Sequence, residues 1–238
     1  MQSLIINIIL ILFTFPDTFA QTEKINITDA QGFKQGIWKK NYEDGTLRYE
    51  GNFVNDKPTG TFRYFYPLTG KLSTLAEYSD KGKRMQATIY HENEKIKATG
   101  VYINEKKDGE WKYFSEDEKL ISQEFYTAGR KTGHWKTWYT NGNLSAEQVW
   151  RDDLKEGTWK EYFSNGKLKV EGNFINDLIE GTVNYYNSEG HLSIKGNYIK
   201  GKREGIWSFY DESGTVTKTE EFVNDSPKEP KESNIDNE

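Results

Sequence analysis

The chain contains no cysteine, and this absence removes several kinds of chemistry at once. Without thiols there are no disulfide bonds, no thiolate metal sites, no cysteine nucleophile and no lipid anchor on an N-terminal cysteine. Aliphatic residues are also scarce, because only 34% of the residues are hydrophobic and the mean hydropathy is -0.88. A closed globule of 238 residues normally has a larger apolar core, so the composition favours another architecture.

Concentrated charge of one sign is missing as well. The 32 basic and 37 acidic residues are interspersed along the whole length, whereas nucleic-acid binding usually needs a clustered basic stripe. We therefore expect no nucleic-acid partner.

Residue patterns typical of catalysis are not found in the sequence. His91, His134 and His191 lie far apart, with no spacing typical of a metal site. There is no nucleophile elbow, phosphate loop or dinucleotide fingerprint. Acidic pairs such as Asp152 and Asp153 are predicted to be exposed, which leaves their pKa values without the burial that raises them. We predict a protein that is not an enzyme and that holds no cofactor or metal.

A short apolar run stands at the N-terminus, over residues 4–15. It is too short to span a bilayer and suits the core of a signal peptide, although no Lys or Arg precedes it. Pro16 follows, and Thr18 and Ala20 are small residues at the positions that signal peptidase reads. We predict cleavage between Ala20 and Gln21 and a secreted or periplasmic protein. A buried N-terminal strand and an uncleaved anchor are the alternatives.

Aromatic residues supply what the aliphatic residues do not, with 13 Phe, 7 Trp and 15 Tyr. They follow a repeat of 24 residues, in which a glycine is followed two positions later by a large apolar residue. The pairs are Gly36/Trp38, Gly60/Phe62, Gly109/Trp111, Gly133/Trp135, Gly157/Trp159, Gly181/Val183 and Gly205/Trp207. An eighth unit lies between the second and third pairs, where Met85 and Ala87 replace the glycine and the ring. We expect that unit to be loosened, or altered for a partner.

Each unit has the pattern of a β-hairpin. The residues from Gly157 to Phe163 are rich in aromatic residues, Asn165-Gly166 provides a turn, and a second strand follows from Leu168. Residues 55–60 and 176–181 form the predicted connections between hairpins. The prediction is an all-β fold, an elongated array of about eight 24-residue hairpins in a single twisted antiparallel meander. Sixteen strands about 4.8 Å apart would make a sheet on the order of 75 Å long.

Four glycines in the second strands, Gly51, Gly100, Gly172 and Gly196, precede a ring by two residues. Glycine weakens a strand unless something packs over the bare backbone, and we expect an aromatic ring from the adjoining strand to do so. The predicted domains are a signal peptide (1–20), an N-terminal cap (21–35), the repeat domain (36–223) and a disordered polar tail (224–238).

The run from Val170 to Val183, VEGNFINDLIEGTV, resembles the MORN repeat. With Gly-x-Trp and a 24-residue unit, residues 36–223 are most similar to bacterial MORN-variant proteins, many of which are labelled YwqK-family antitoxins. The resemblance implies a meander of hairpins that serves as a protein or lipid interaction surface, with no catalytic residues to carry over. Choline-binding modules are a rival resemblance, but their period is near 20 residues.

We therefore predict an exported scaffold that binds a protein partner of unknown identity. The alternatives are an antitoxin-like protein that neutralises a toxin in the cytoplasm, and a module that binds a cell-wall glycan or a lipid surface through open rings or lysines near residues 200–203. Adjacent rings such as Trp138 and Tyr139 would point to opposite faces of a strand, and one ring row is more than the stacking requires. The candidate interaction residues are Trp138, Tyr139, Tyr162, Tyr186 and Tyr210.

Overall fold

The computed structural model describes residues 24–228, and this part of the chain is built of β-strands with one short 3-10 turn, Asp80–Gly82. The strands of the first half are β1 (Ile27–Thr28), β2 (Lys34–Asn41), β3 (Leu47–Val54), β4 (Lys57–Phe65), β5 (Leu72–Ser79), β6 (Arg84–Tyr90), β7 (Ile96–Ile103), β8 (Lys106–Phe114) and β9 (Leu120–Thr127). Those of the second half are β10 (Arg130–Trp138), β11 (Leu144–Arg151), β12 (Leu154–Tyr162), β13 (Leu168–Ile175), β14 (Leu178–Ile179), β15 (Gly181–Tyr186), β16 (Leu192–Ile199), β17 (Lys202–Tyr210), β18 (Val216–Val223) and β19 (Ser226–Pro227).

Successive strands pair antiparallel along the whole array, so the chain forms one open meander. The long strands form eight hairpins, which we number as units 1 to 8, from β2–β3 to β17–β18. In unit 7 the first strand is broken into β14 and β15, both of which pair with β13. The predicted fold class, an antiparallel array of hairpin repeats, is confirmed.

In units 1, 5, 6, 7 and 8 the turn inside the hairpin ends in a left-handed glycine, whereas Glu94 and Glu118 take that position in units 3 and 4. In unit 5 the Gly142 amide donates to the Tyr139 carbonyl, and the Tyr139 amide donates to the Asn143 carbonyl. Gly142 has φ +89°, while Asn141 keeps a negative φ. This is a type I turn that ends in a left-handed residue, the usual three-residue hairpin loop. The position therefore favours glycine, and Asn141 serves a different purpose: its side chain accepts the Asn143 amide at 3.0 Å.

The connections between hairpins are shorter than the sequence predicts. Asn55 (φ 49°) and Asp56 (φ 63°) alone form the turn after β3, and β4 begins at Lys57. Two successive left-handed residues make the type I′ turn whose twist matches the strands that it joins. The Asp56 carboxylate also accepts the backbone amide of Lys34 at 2.7 Å. The prediction of a connection running to Gly60 was therefore too long.

In units 2, 4, 5, 6 and 8 the glycine that opens the repeat motif lies inside a strand, at a bulge. Asn52 pairs with Thr59 and Glu50 with Arg63, so that one residue of β3 faces three residues of β4. Gly60 has φ +64° there, a conformation that side chains rarely adopt.

Unit 3 is more regular than the other units, and the prediction that it is loosened was wrong. β5 and β6 pair residue for residue from Thr74–Ile89 to Ser79–Arg84. Because Met85 replaces the glycine, no bulge forms, and the spare residues are taken up by the 3-10 turn. Ala87 then faces Ala76, and both are fully buried.

The sheet extends beyond residues 36–223 at both ends. β1 pairs with β2, and Ser226–Pro227, in the segment predicted as a disordered tail, pairs with Val223 and Phe222. Asn224 and Asp225 form the same turn of two left-handed residues as Asn55 and Asp56. The two residues of β19, which ends at Pro227, therefore follow β18 as each new first strand follows the hairpin before it. The predicted signal peptide and its cleavage site at Ala20 and Gln21 lie outside the described residues. Within 24–228, no helix has the length and apolar character needed to cross a bilayer.

One face of the sheet, here called the ring face, contains the core. Trp111 is 1% exposed and Trp207 is 5% exposed in this single layer. Their rings lie directly on Gly100 and Gly196, where an added Cβ would come within 2.2 Å and 2.1 Å of the indole. Phe62 covers Gly51 in the same way. The expectation that rings cover these glycines is confirmed at these three sites, and the sheet buries its own core without a second layer.

Candidate functional site

The face opposite the rings, here called the charged face, carries a ladder of ion pairs. Lys39, Glu50 and Arg63 lie side by side on β2, β3 and β4, with N–O distances of 3.1 and 3.4 Å. A second ladder joins Lys136 to Glu147 (3.0 Å) and Lys160 to Glu171 (3.7 Å). Side chains alternate between the two faces along each strand, so the Lys and Glu positions adjoin the ring positions in sequence. Exposed pairs of this kind contribute about 0–1 kcal/mol each, and the ladder mainly determines the chemical character of the surface.

Four of the five predicted interaction residues form one row on the charged face. Trp138, Tyr162, Tyr186 and Tyr210 are the last residues of β10, β12, β15 and β17. They occupy the same position in units 5 to 8, so successive rings are two strands, or about 10 Å, apart. All four are half-buried. We call these four residues the docking row.

The docking row is linked to the ion-pair ladder. The Tyr162 hydroxyl donates to Glu147 at 2.8 Å, and the Tyr186 hydroxyl donates to Glu171 at 2.8 Å. Burial and this hydrogen bond raise the pKa of Tyr162 to about 12, and the hydrogen bond from Tyr186 holds the pKa of Glu171 below its usual value. Lys195 of unit 7 occupies the repeat position of Glu147 and Glu171. By the same repeat, it corresponds to Tyr210 as those glutamates correspond to Tyr162 and Tyr186. Tyr162 and Tyr186 are thus held in place by hydrogen bonds to charged groups.

Tyr139, the fifth predicted residue, lies in the turn and takes part in a different network. Its hydroxyl donates to the Tyr162 carbonyl of the next unit at 2.7 Å. Tyr42 and Tyr66 make the same contact at 2.9 and 2.6 Å, and His91 replaces tyrosine in unit 3, with its Nε2 2.9 Å from the Phe114 carbonyl. These bonds tie successive turns together, so the structure gives Tyr139 a role in stacking the hairpins.

The sequence analysis missed a row of cations on the ring face. Each member lies two residues before the motif glycine, and its charge stands over one or more rings of its own unit. Lys131 Nζ, for example, is 4.8 Å from the centre of the Trp135 ring and 4.4 Å from that of Trp150. The row consists of Lys34, Lys107, Lys131, Lys155 and Arg203. The signal was visible in the sequence as Lys/Arg-x-Gly-x-Trp, which occurs in the five units that contain tryptophan at the ring position.

A groove of about 250 Å³ opens on the ring face between units 5 and 6. Its walls include the indoles of Trp135, Trp150 and Trp159, which are less buried than Trp111. Within residues 24–228, no group of three His, Asp or Glu side chains is arranged to hold a metal ion.

The fold, the spacing and the buried ring row define a β-hairpin repeat protein. Five segments match the model of the MORN repeat variant, over residues 34–55, 107–128, 131–152, 155–176 and 203–224. These five segments are MORN-variant repeats, as the sequence predicts. Each matched segment begins at a member of the cation row, and units 2, 3 and 7 lack both that match and the tryptophan. MORN repeats are commonly protein or membrane interaction repeats and are of a non-enzymatic type.

Likeness to individual proteins is weak. No curated protein matches the sequence. Among solved structures, the crystal structure of TarM is similar over 38% of this chain and 18% of TarM, at 22% identity and a TM-score of 0.29. The Photorhabdus luminescens Tc holotoxin pore is similar over 79% of this chain and 13% of that chain, at 11% identity and a TM-score of 0.22. The chain spans less than a fifth of each protein, and such scores support no functional argument.

Proposed function

We propose that this protein is an exported, non-enzymatic scaffold that binds a protein partner through the charged face of units 5 to 8. The observation that carries the proposal is the docking row, four half-buried rings in line beside the Lys136–Glu147 and Lys160–Glu171 pairs. Tyrosine and tryptophan are the residues most enriched at the energetic centres of protein interfaces, and charges around them provide orientation and specificity.

The packing of the ring face supports the same surface. Because Trp111 and Trp207 are buried by the sheet itself, the fold does not require a second layer, and the charged face is left open along the array. A long and flat surface of regularly spaced groups suits another protein better than a small molecule, which needs a concave site.

Affinity capture tests this proposal. The chain without residues 1–20 is immobilised, and extracts of the source cell envelope are passed over it in two forms: native and Trp138→Ala/Tyr210→Ala. Trp138 and Tyr210 are chosen because the hydroxyls that donate to glutamate belong to the other two members of the docking row, Tyr162 and Tyr186. We expect a protein that the native chain retains and the variant does not, followed by direct binding of the purified partner. Retention of no protein, or equal retention by both forms, would refute the proposal.

The antitoxin alternative would use a similar surface on a cytoplasmic toxin. Export separates the two hypotheses, because a protein whose mature N-terminus is Gln21 has left the cytoplasm.

A further inference from the structure

The repeat is interrupted on the ring face of units 5 and 6, and the interruptions coincide in space. Two positions after the ring position, units 2, 4, 7 and 8 carry a second ring, Tyr64, Tyr113, Tyr185 and Phe209. Tyr113 lies 6.1 Å from Trp111 and nearly parallel to it. Units 5 and 6 carry Thr137 and Glu161 instead; units 1 and 3 also lack the ring, with Lys40 and Ile89, but units 5 and 6 are the only two neighbouring units without it. The space that the missing rings would fill is part of the groove.

A third departure leaves Trp159 partly exposed. Trp111 and Trp207 lie flat on Gly100 and Gly196 of the preceding strand. On the strand that precedes Trp159, the position of these glycines is taken by Gln148, which pairs directly with Trp159. The Gln148 side chain keeps the indole from lying on bare backbone. Trp159 instead contacts Gly172 on the following strand, 3.3 Å from where a Cβ would be. The indole is therefore only partly buried.

The groove combines flat apolar walls with a few polar groups. Trp135, Trp150 and Trp159 provide the walls, and Gln148, Glu161 and Lys155 provide an amide, a carboxylate and an ammonium group. With Lys155 and Glu161 in the lining and Lys131 over Trp135 and Trp150, the groove presents charges of both signs, which favours a ligand without a formal charge of its own. Flat aromatic walls stack on the apolar face of a ligand, and convergent polar groups bind its polar groups.

Other ligand classes fit less well. The cation position over Trp135 and Trp150 is already taken by Lys131, so an external quaternary ammonium group would have to displace it. Glu161 disfavours an anion. The backbones of β10, β11 and β12 are paired with each other, so a peptide strand cannot be added at the groove. We infer that the groove between units 5 and 6 binds a neutral saccharide by stacking on its tryptophans, a function beyond the protein-binding role proposed above.

The repeat itself supplies the variant that tests this inference. Thr137→Tyr/Glu161→Tyr restores the rings that Tyr113 and Tyr185 provide in neighbouring units, so it should keep the fold while filling the groove. Thr182→Tyr, on the opposite face of unit 7, is the matched control. Far-UV circular dichroism and thermal unfolding establish that all three forms are folded.

Binding is followed by the indole NH signals of the full mature chain during titration with maltotetraose, cellotetraose and chitotetraose at millimolar concentration, and with choline chloride. We expect at least one tetrasaccharide to shift the groove indoles, with affinity reduced about tenfold or more in the filled variant and unchanged in the control. The inference fails if no tetrasaccharide shifts these signals, if the filled variant binds as well as the native chain, or if choline alone binds. The effect of Trp138→Ala/Tyr210→Ala on the binding of a protein partner is a result separate from saccharide binding, because Trp138 and Tyr210 lie on the charged face.

Discussion

Substituting alanine for Gly100 should destabilise the protein by an amount set by its distance from a ring. An added Cβ at Gly100 would lie 2.2 Å from Trp111 Cδ2, so the indole must move outward. Overpacking of this kind costs about 1–3 kcal/mol, partly offset by about 0.4–1 kcal/mol from the stiffer unfolded chain. At Gly172 the nearest contact is 3.0 Å, to the Val183 Cγ2 methyl, and the two effects should nearly cancel.

Replacing both partners should remove the conflict. Trp111→Ala alone leaves a cavity and costs about 3–5 kcal/mol, whereas in Gly100→Ala/Trp111→Ala the new methyl group has room. We expect the double variant to be no less stable than Trp111→Ala, with a coupling of roughly 2 kcal/mol between the sites. The protein already contains this pair of replacements, because Ala76 faces Ala87.

Urea unfolding followed by circular dichroism gives the four free energies of the cycle. Because an array of repeats can open locally, amide exchange in β7 and β8 is measured in parallel. Additive costs in the double variant, or a Gly172→Ala variant as unstable as Gly100→Ala, would refute the claim that glycine and ring are one packing unit.

Three further substitutions and one export measurement follow from the structure. Tyr186→Phe removes the hydrogen bond that lowers the pKa of Glu171, so NMR titration should show that pKa moving up towards 4.5. The stability that the lowered pKa provides is present above pH ~4.5 and is lost as the pH falls through the folded-state pKa. The variant should therefore lose less stability than the native chain over that pH range. Tyr139→Phe removes the bond to the next turn and should cost about 0.5–1.5 kcal/mol in urea unfolding. Lys131→Met removes the charge over two indoles and should cost about 0.5–1 kcal/mol at low salt. Edman sequencing of the protein from its source should begin at Gln21.

Each of the three substitutions has a control in the chain. Tyr185→Phe alters a hydroxyl that lies 3.3 Å from that of Tyr198, and it should leave the Glu171 titration unchanged. Phe163→Tyr places a hydroxyl at the repeat position of Tyr139 and should stabilise the fold where Tyr139→Phe destabilises it. Lys57→Met changes an exposed lysine at the start of β4 and should leave stability unaltered. An unshifted Glu171, a neutral Tyr139→Phe, equal effects of the two lysine variants or an uncleaved N-terminus would contradict the corresponding prediction.

The sequence predicted the architecture well because the period repeats so often. Gly-x-Trp spacing in five units, turn glycines and alternating rings each indicate a hairpin, and these signals recur along the whole repeat domain. The bulge at Gly60 was missed because glycine at a strand start and glycine within a strand give the same pattern; only the left-handed φ distinguishes them. Unit 3 was misjudged because Met85 stands where the other units have the motif glycine. Without that glycine no bulge forms, and the strand pairing is more regular.

The sequence indicated part of the arrangement of the candidate residues, and their role in binding stays a prediction. Trp138, Tyr162, Tyr186 and Tyr210 were selected for their spacing, and the structure brings them into one row. The separate role of Tyr139 could not be deduced, because a bond from one turn to the next depends on how hairpins stack. The cation row was readable in the sequence but was overlooked, since lysines before a glycine look like solvated turn residues.

Side-chain footprinting of the complex tests the central claim most directly. With the partner bound, hydroxyl radicals should modify Trp138, Tyr162, Tyr186 and Tyr210 more slowly than in the free chain, while Trp38 on the ring face is modified at the same rate. Protection confined to the ring face, or unchanged modification of all four rings in a saturated complex, would contradict the assignment of the charged face as the interaction surface.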